Sequence, residues 1–220
     1  MKNLLTCPNI QIDKIPMNRV NHFTFLGFII DQKLTFNLHI SFLCNKVSKS
    51  VGIINKISYL PPNVLKCLYY SMVNPYLIYC IESWGPSYAT NLSPLIILQN
   101  RVIRIITNNG KLTHTAPLFT KLDILKLDEL CNFFIGINFY KIIYQCKANY
   151  ILNDLSLSQI SRVMQLRNND KFRLPVNRVL KLKQSLIYRG TKIWNALPNS
   201  IKNTPSVNVF KKNLKAWEKN

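Results

Sequence analysis

The sequence predicts a mainly α fold of the α+β class, with short strands confined to the N-terminal end and helices over the rest. Three observations point there. Apolar and polar residues alternate at Ile10, Ile12, Ile15 and Val20, then crowd together at Phe23, Phe25, Leu26, Phe28, Ile29 and Ile30 around Gly27. From His39 to Ile57, Ile40, Leu43, Cys44, Val47, Val51 and Ile54 recur at the spacing of one helix face. Beyond Pro61, apolar blocks of helical length are separated by proline, asparagine and glycine, the residues that open and close helices.

Taken in order, residues 9–31 predict two or three short strands, because a period of two matches the pleat. The helix from His39 to Ile57 sets Lys46, Lys49 and Lys56 within about 80° of one another opposite its apolar face, at 100° per residue. Such a stripe serves either as a plain solvated face or as a nucleic-acid contact. Pro61 and Pro62 suit a first helical turn, and the apolar run to Cys80 predicts a buried central helix that Pro75 kinks or breaks near Asn74. Glu82 to Ala89, with Trp84, Gly85 and Pro86, reads as a loop.

Ser93 as N-cap and Pro94 at the first helical position predict a helix to about Thr107, closed by Asn108, Asn109 and Gly110. Arg101, Arg104 and Asn108 share one of its faces. Arginine suits phosphate because its planar fork donates two hydrogen bonds at once. A further helix is expected from about Leu127 to Ile143, its Phe133, Phe134, Ile137, Phe139 and Tyr140 forming core, with Asp128 and Glu129 complementing the dipole of its first turn. Residues 146–184 are polar and basic and predict a loop with at most a strand. The tail, with Trp194, Pro198, Ile201, Phe210, Leu214 and Trp217 among lysines, predicts two short helices, Trp194 anchoring them as a buried residue.

Composition bounds the function. With 48% apolar residues in 220, the chain can bury a real core as one unit or two small ones. Its 29 Lys and Arg against 9 Asp and Glu give a net charge of +20, and 14 of the basic residues lie from Ile160 onward. A compact state tolerates that charge better with an anionic partner, so nucleic acid is the expected one. The six cysteines form no Cys-x-x-Cys pair, and the three histidines stand far apart. Neither a zinc site nor a disulfide scaffold is indicated, and reduced, mostly buried thiols suit an intracellular compartment, nuclear or cytoplasmic. No apolar run reaches the roughly 18 residues of a membrane span, and the lysine stripe's opposite face is better explained as core than as a membrane anchor, so no membrane partner is expected.

Several phrases occur in a family's order. They are Phe25-Leu26-Gly27 with Asp31, Leu34-Thr35 and His39-Ile40, then Leu68-Tyr69-Tyr70, Pro75-Tyr76-Leu77-Ile78-Tyr79-Cys80 and Trp84-Gly85. Leu98-Gln99-Asn100-Arg101 with Ile103-Arg104-Ile105-Ile106 comes next, then His114-Thr115-Ala116-Pro117-Leu118-Phe119, Ile124-Leu125-Lys126-Leu127, Gly190 to Pro198, and Phe210-Lys211. In this order the chain resembles the region after the catalytic palm of LINE-type, non-LTR retrotransposon reverse transcriptases of the jockey-like kind. The resemblance implies palm-end strands over 1–36, with Phe25, Leu26 and Gly27 at the primer-grip-like turn. It further implies a helical thumb over 37–110 that closes on the template-primer duplex, a connecting helical region over 111–145, and a basic C-terminal segment over 146–220.

The expected function is therefore that of a non-catalytic segment of an RNA-directed DNA polymerase. It would grip template-primer or other nucleic acid through backbone phosphates, independently of sequence, with Lys46, Lys49, Lys56, Arg101 and Arg104 as contacts. No catalytic or metal-ligating residue is assigned. Nucleotidyl transfer of this class uses two metal ions bridged by closely placed carboxylates, and the sequence has no Asp-Asp pair. The full polymerase would need Mg; this chain is expected to hold no cofactor, to lack the palm and fingers, and to be inactive in polymerisation alone. The alternative is a host-adopted, stand-alone basic adaptor for nucleic acid or protein.

Overall fold

A computed structural model describes residues 11–13, 15–16, 20–145, 172, 174 and 180–219. The expected loop or strand within 146–184 falls almost wholly outside the described residues, as do Cys7 and Cys146.

Among the described residues the N-terminal strands are four, in two tight antiparallel pairs, rather than two or three. β1 (Gln11–Ile12) pairs with β2 (Ile15–Pro16), and β3 (His22–Phe25) with β4 (Phe28–Asp31). Asp13 turns the chain in the left-handed region (φ 50°) and so divides the first stretch. At the β3–β4 turn both Leu26 (φ 48°) and Gly27 (φ 80°) have positive φ, the geometry whose twist matches that of the flanking strands. Glycine adopts it freely, whereas leucine does so at a cost of about 1–2 kcal/mol. The Tyr79 hydroxyl donates to the Leu26 carbonyl at 2.7 Å, which holds the turn against the helical body.

Asp31 joins this hairpin to the helical body. Its carboxylate accepts from the amides of Lys33, Thr35 and Phe36 at 3.1, 3.0 and 2.6 Å and from the Thr35 hydroxyl at 3.2 Å. Burial acts to raise its pKa, but the amides of Thr35 and Phe36, the Thr35 hydroxyl and the amide of Lys33 together bring it below the ordinary value.

The expected amphipathic helix is α1 (Asn37–Lys56), burying Ile40, Leu43, Val47, Val51 and Ile54. The next apolar run breaks where Pro75 requires, into α2 (Pro62–Met72) and α3 (Asn74–Ile78). It is not a central helix buried all round, however: α2 buries Leu65 and Tyr69 and leaves Val64, Cys67 and Tyr70 to solvent. Only one of its faces meets α1 and its neighbours. Cys67 is accordingly an exposed thiol, whereas Cys131 is buried.

The segment read as a loop begins with a helical turn, α4 (Ile81–Trp84), because Trp84 is fully buried and its indole N–H donates to the Tyr79 carbonyl at 2.8 Å. The following helix, α5 (Ala89–Ile106), starts before Ser93, after an extended Tyr88, so Ser93 is no cap and Pro94 lies inside. Leu92 packs partly against the core from that added turn, which offsets the lost amide. Its far end is as expected. Asn108 is left-handed (φ 53°), with Asn109 N–H bonded to the Arg104 carbonyl and Asn108 N–H to that of Ile105, a Schellman closure with asparagine in glycine's usual place.

A short helix the sequence did not announce, α6 (Ala116–Leu122), buries Leu118, Phe119 and Leu122. Then α7 (Leu127–Gln145) runs through both cores. Its Leu127, Leu130, Cys131 and Ile135 belong to the core of α1 to α6. Its Ile137, Phe139 and Tyr140 belong to a second core with Trp194, Leu197, Phe210 and Leu214. After a single turn, α8 (Leu180–Lys183), that second core is closed by α9 (Leu186–Ala196), α10 (Asn199–Lys202) and α11 (Val207–Trp217), so the tail has, among the described residues, four short helices rather than two, Pro198 and the Thr204–Ser206 stretch interrupting the run. Ser185 and Ser206 cap α9 and α11 by accepting from the amides of Tyr188 and Val209. Gly190 permits the close approach of α9 to α7, since a Cβ there would lie 2.4 Å from the Phe139 ring.

Candidate nucleic-acid interface

Two of the longest helices, α1 and α5, pack side by side and parallel. Asn37 to Asn45 stand beside Thr90 to Pro94 at one end, and Asn55 and Ser58 stand beside Ile97 to Ile105 at the other. At that second end the chain leaves α5 through the Asn108 closure and turns back at Lys111. The result is a cleft of about 630 Å³ lined by Asn55, Ser58, Ile97, Arg101, Arg104, Ile105, Asn108, Asn109 and Lys111.

Both expected arginines lie in this cleft. Arg101 is exposed, while Arg104 is half-buried and its Nε donates to the Thr113 carbonyl at 2.9 Å. That bond fixes the guanidinium plane, and its terminal nitrogens make no other hydrogen bond among the described residues. The C-terminal ends of α1 and α5 also lie here, each equivalent to roughly half a negative charge. Arg101, Arg104 and Lys111 bring three positive charges, and among the described residues no carboxylate lines the cleft. The balance is positive and suits an anion.

Lys46, Lys49 and Lys56 are exposed, as expected, but none of them lines the cleft. The cleft receives Asn55 and Ser58 from the end of α1, and the lysines occupy another side of that helix. Lys46 stands over the Phe42 ring at 5.4 Å. The residues expected at a primer-grip-like turn, Phe25, Leu26 and Gly27, lie apart from the cleft, with Leu26 77% exposed at the hairpin tip and Phe23 and Phe25 exposed along β3. Sequence reasoning missed Lys111, Asn55 and Ser58. Lys111 had a signal, since it directly follows the helix-closing Asn-Asn-Gly of the arginine helix, whereas Asn55 and Ser58 had none without knowledge of how α1 and α5 pack.

Other polar residues of the quoted phrases prove structural. Gln99 is buried and its Nε2 donates to Tyr69 Oη and to the Leu125 carbonyl, both at 3.1 Å. The Thr115 hydroxyl donates to Asn100 Oδ1 at 3.3 Å. Among the described residues no group of three His, Cys, Asp or Glu side chains is placed to hold a metal ion, and no helix is long and apolar enough to cross a membrane.

The chain is 27% identical over 130 residues to the RNA-directed DNA polymerase from mobile element jockey of Drosophila funebris, a match covering 56% of this chain and 14% of that protein. It is 23% identical over 129 residues to the probable RNA-directed DNA polymerase from transposon BS of Drosophila melanogaster, covering 57% and 14%. A third match, to the probable RNA-directed DNA polymerase from transposon X-element of the same species, is 26% over 106 residues, covering 46% and 12%. No family model and no solved structure matches. Over about half its length, and across about one seventh of theirs, the chain is similar to the RNA-directed DNA polymerases of jockey-like and other non-LTR retrotransposons.

Proposed function

We propose that this chain is a thumb-like segment of a retrotransposon reverse transcriptase that grips template-primer or other nucleic acid through its backbone phosphates. The observation that carries the reading is the cleft that Arg101, Arg104 and Lys111 line together with no carboxylate among the described residues. A guanidinium held in plane, as Arg104 is by Thr113, presents its fork to a phosphate with little ordering left to do. The exposed Lys46, Lys49 and Lys56 add charge on a second face. Phosphate contacts set position and affinity without reading bases. No catalytic residue, metal or cofactor is assigned to this chain, and polymerisation is not attributed to it alone.

Filter binding to an RNA–DNA hybrid tests this. The double variant Arg101→Ala, Arg104→Ala should bind roughly tenfold or more weakly near 0.1 M salt and should lower the log–log salt slope by about 2. Both side chains point away from the core, so folding should survive, as circular dichroism would verify. Unchanged hybrid affinity in a folded variant would remove the cleft from the interface.

A further inference from the structure

The cleft is not built as a phosphate grip alone. Ser58, one of its lining residues, is followed by Tyr59, which is 81% exposed. Lys111, another, is followed by Leu112, which is 99% exposed. Ile97 lies within the lining and is 61% exposed. Three large apolar side chains therefore stand in water, Ile97 in the lining and Tyr59 and Leu112 one residue beyond it, beside a cleft that also holds three cationic side chains and the amides of Asn55, Asn108 and Asn109.

A paired helix meets this arrangement with its phosphates alone. Its outer surface is convex and shows phosphate and sugar, so the backbone can reach Arg101, Arg104 and Lys111 at the mouth of a concavity of about 630 Å³, while its base faces stay stacked inside and make no use of the apolar side chains. That volume falls within the roughly 300–1,000 Å³ of clefts that enclose small molecules, a scale suited to a nucleotide or two. An unpaired strand offers what a duplex hides: base faces to stack on an aromatic ring, apolar edges to cover aliphatic side chains, and base edges for amides to hydrogen-bond. Its phosphates remain available to Arg101, Arg104 and Lys111.

We infer that the cleft between the ends of α1 and α5 receives an unpaired nucleic-acid strand, with a base on Tyr59 and the adjoining phosphates on Arg101, Arg104 and Lys111. This rests on the proposed nucleic-acid function and adds strandedness to it. A single-stranded extension of a template-primer then gains base contacts in the cleft that the paired portion, held by its phosphates alone, does not make.

The test is a fluorescence-anisotropy titration of the full chain with two probes at one salt concentration. One is a blunt RNA–DNA hybrid, and the other is the same hybrid carrying a single-stranded uridine extension of about ten nucleotides. The extension should tighten binding. Tyr59→Ala should weaken binding of the extended probe by roughly 5- to 100-fold, the range for losing one stacked base, while leaving the blunt hybrid within about twofold. Tyr59→Phe, which keeps the ring, should retain the gain. Equal affinity for the two probes, or an extension effect untouched by Tyr59→Ala, would overturn the inference and leave the backbone grip standing. Failure of both probes to bind would overturn the functional reading itself. Because Tyr59 is exposed, its replacement does not threaten the fold.

Discussion

His39 shows how a single buried group can mark the joint between hairpin and helices. It is fully buried, with its ring 4.6 Å from that of Phe28, 6.3 Å from Phe42 and 6.1 Å from Trp84. Nδ1 accepts from the Ile29 amide at 3.4 Å, and Nε2 has no partner among the described residues. Burial holds its pKa down at about 4, against an ordinary 6.5. Between those values the unfolded imidazole binds a proton that the folded one refuses, so stability should fall as the pH drops through this window, by up to the order of 3 kcal/mol. Glu218 acts in the opposite sense. Burial pushes its carboxyl up to about 7, helped by Glu129 and Asp128 and opposed by a hydrogen bond with Asn132 and by Arg189. It therefore favours the folded state most below about 4.5 and loses that contribution as the pH rises toward 7. Urea denaturation of wild type and His39→Gln from pH 4 to 7 separates the two. The variant should be less stable at pH 7 and should lack the acid loss, so that the two profiles converge on the acid side; parallel profiles would refute the buried neutral histidine.

Among the elements, what the sequence made legible were those whose stability is local. The amphipathic period of α1, the break at Pro75 and the Asn108 closure of α5 all fell where expected, because each depends on a few neighbouring residues. Misreadings occurred where packing overrides local preference: Pro94 sits inside α5, α2 is open on one side despite its apolar run, and Trp84 makes core out of an expected loop. The short α6 lacked enough residues for a period to show. Trp194 was legible because Ile193, Leu197 and Ile201 flank it at helical spacing, and in the fold it is 5% exposed among the rings of Phe139, Tyr140, Tyr144, Phe172 and Phe210. Trp194→Ala should therefore cost about 3–5 kcal/mol in urea denaturation, by unseating α9 and α11 from the second half of α7. A loss below about 1 kcal/mol would show that these helices are held elsewhere. The candidate site was half legible. Its arginines stood out as one face of one helix, but the cleft exists only because the ends of α1 and α5 lie together.

For the whole molecule, the decisive quantity is charge. A net +20 opposes compaction unless anions gather at the surface, and the cleft and the separate face of Lys46, Lys49 and Lys56 are two places where they would. The most direct measurement is titration of two unrelated RNA–DNA hybrid sequences with the full chain across a salt series. If the chain grips backbone, roughly five or more phosphates are engaged and log Kd against log salt has a magnitude of slope near 4 or above, with the two sequences differing by no more than a few-fold. Binding that ignored salt, or that strongly preferred one sequence, would contradict the backbone-gripping account and point to base readout or to a protein partner instead.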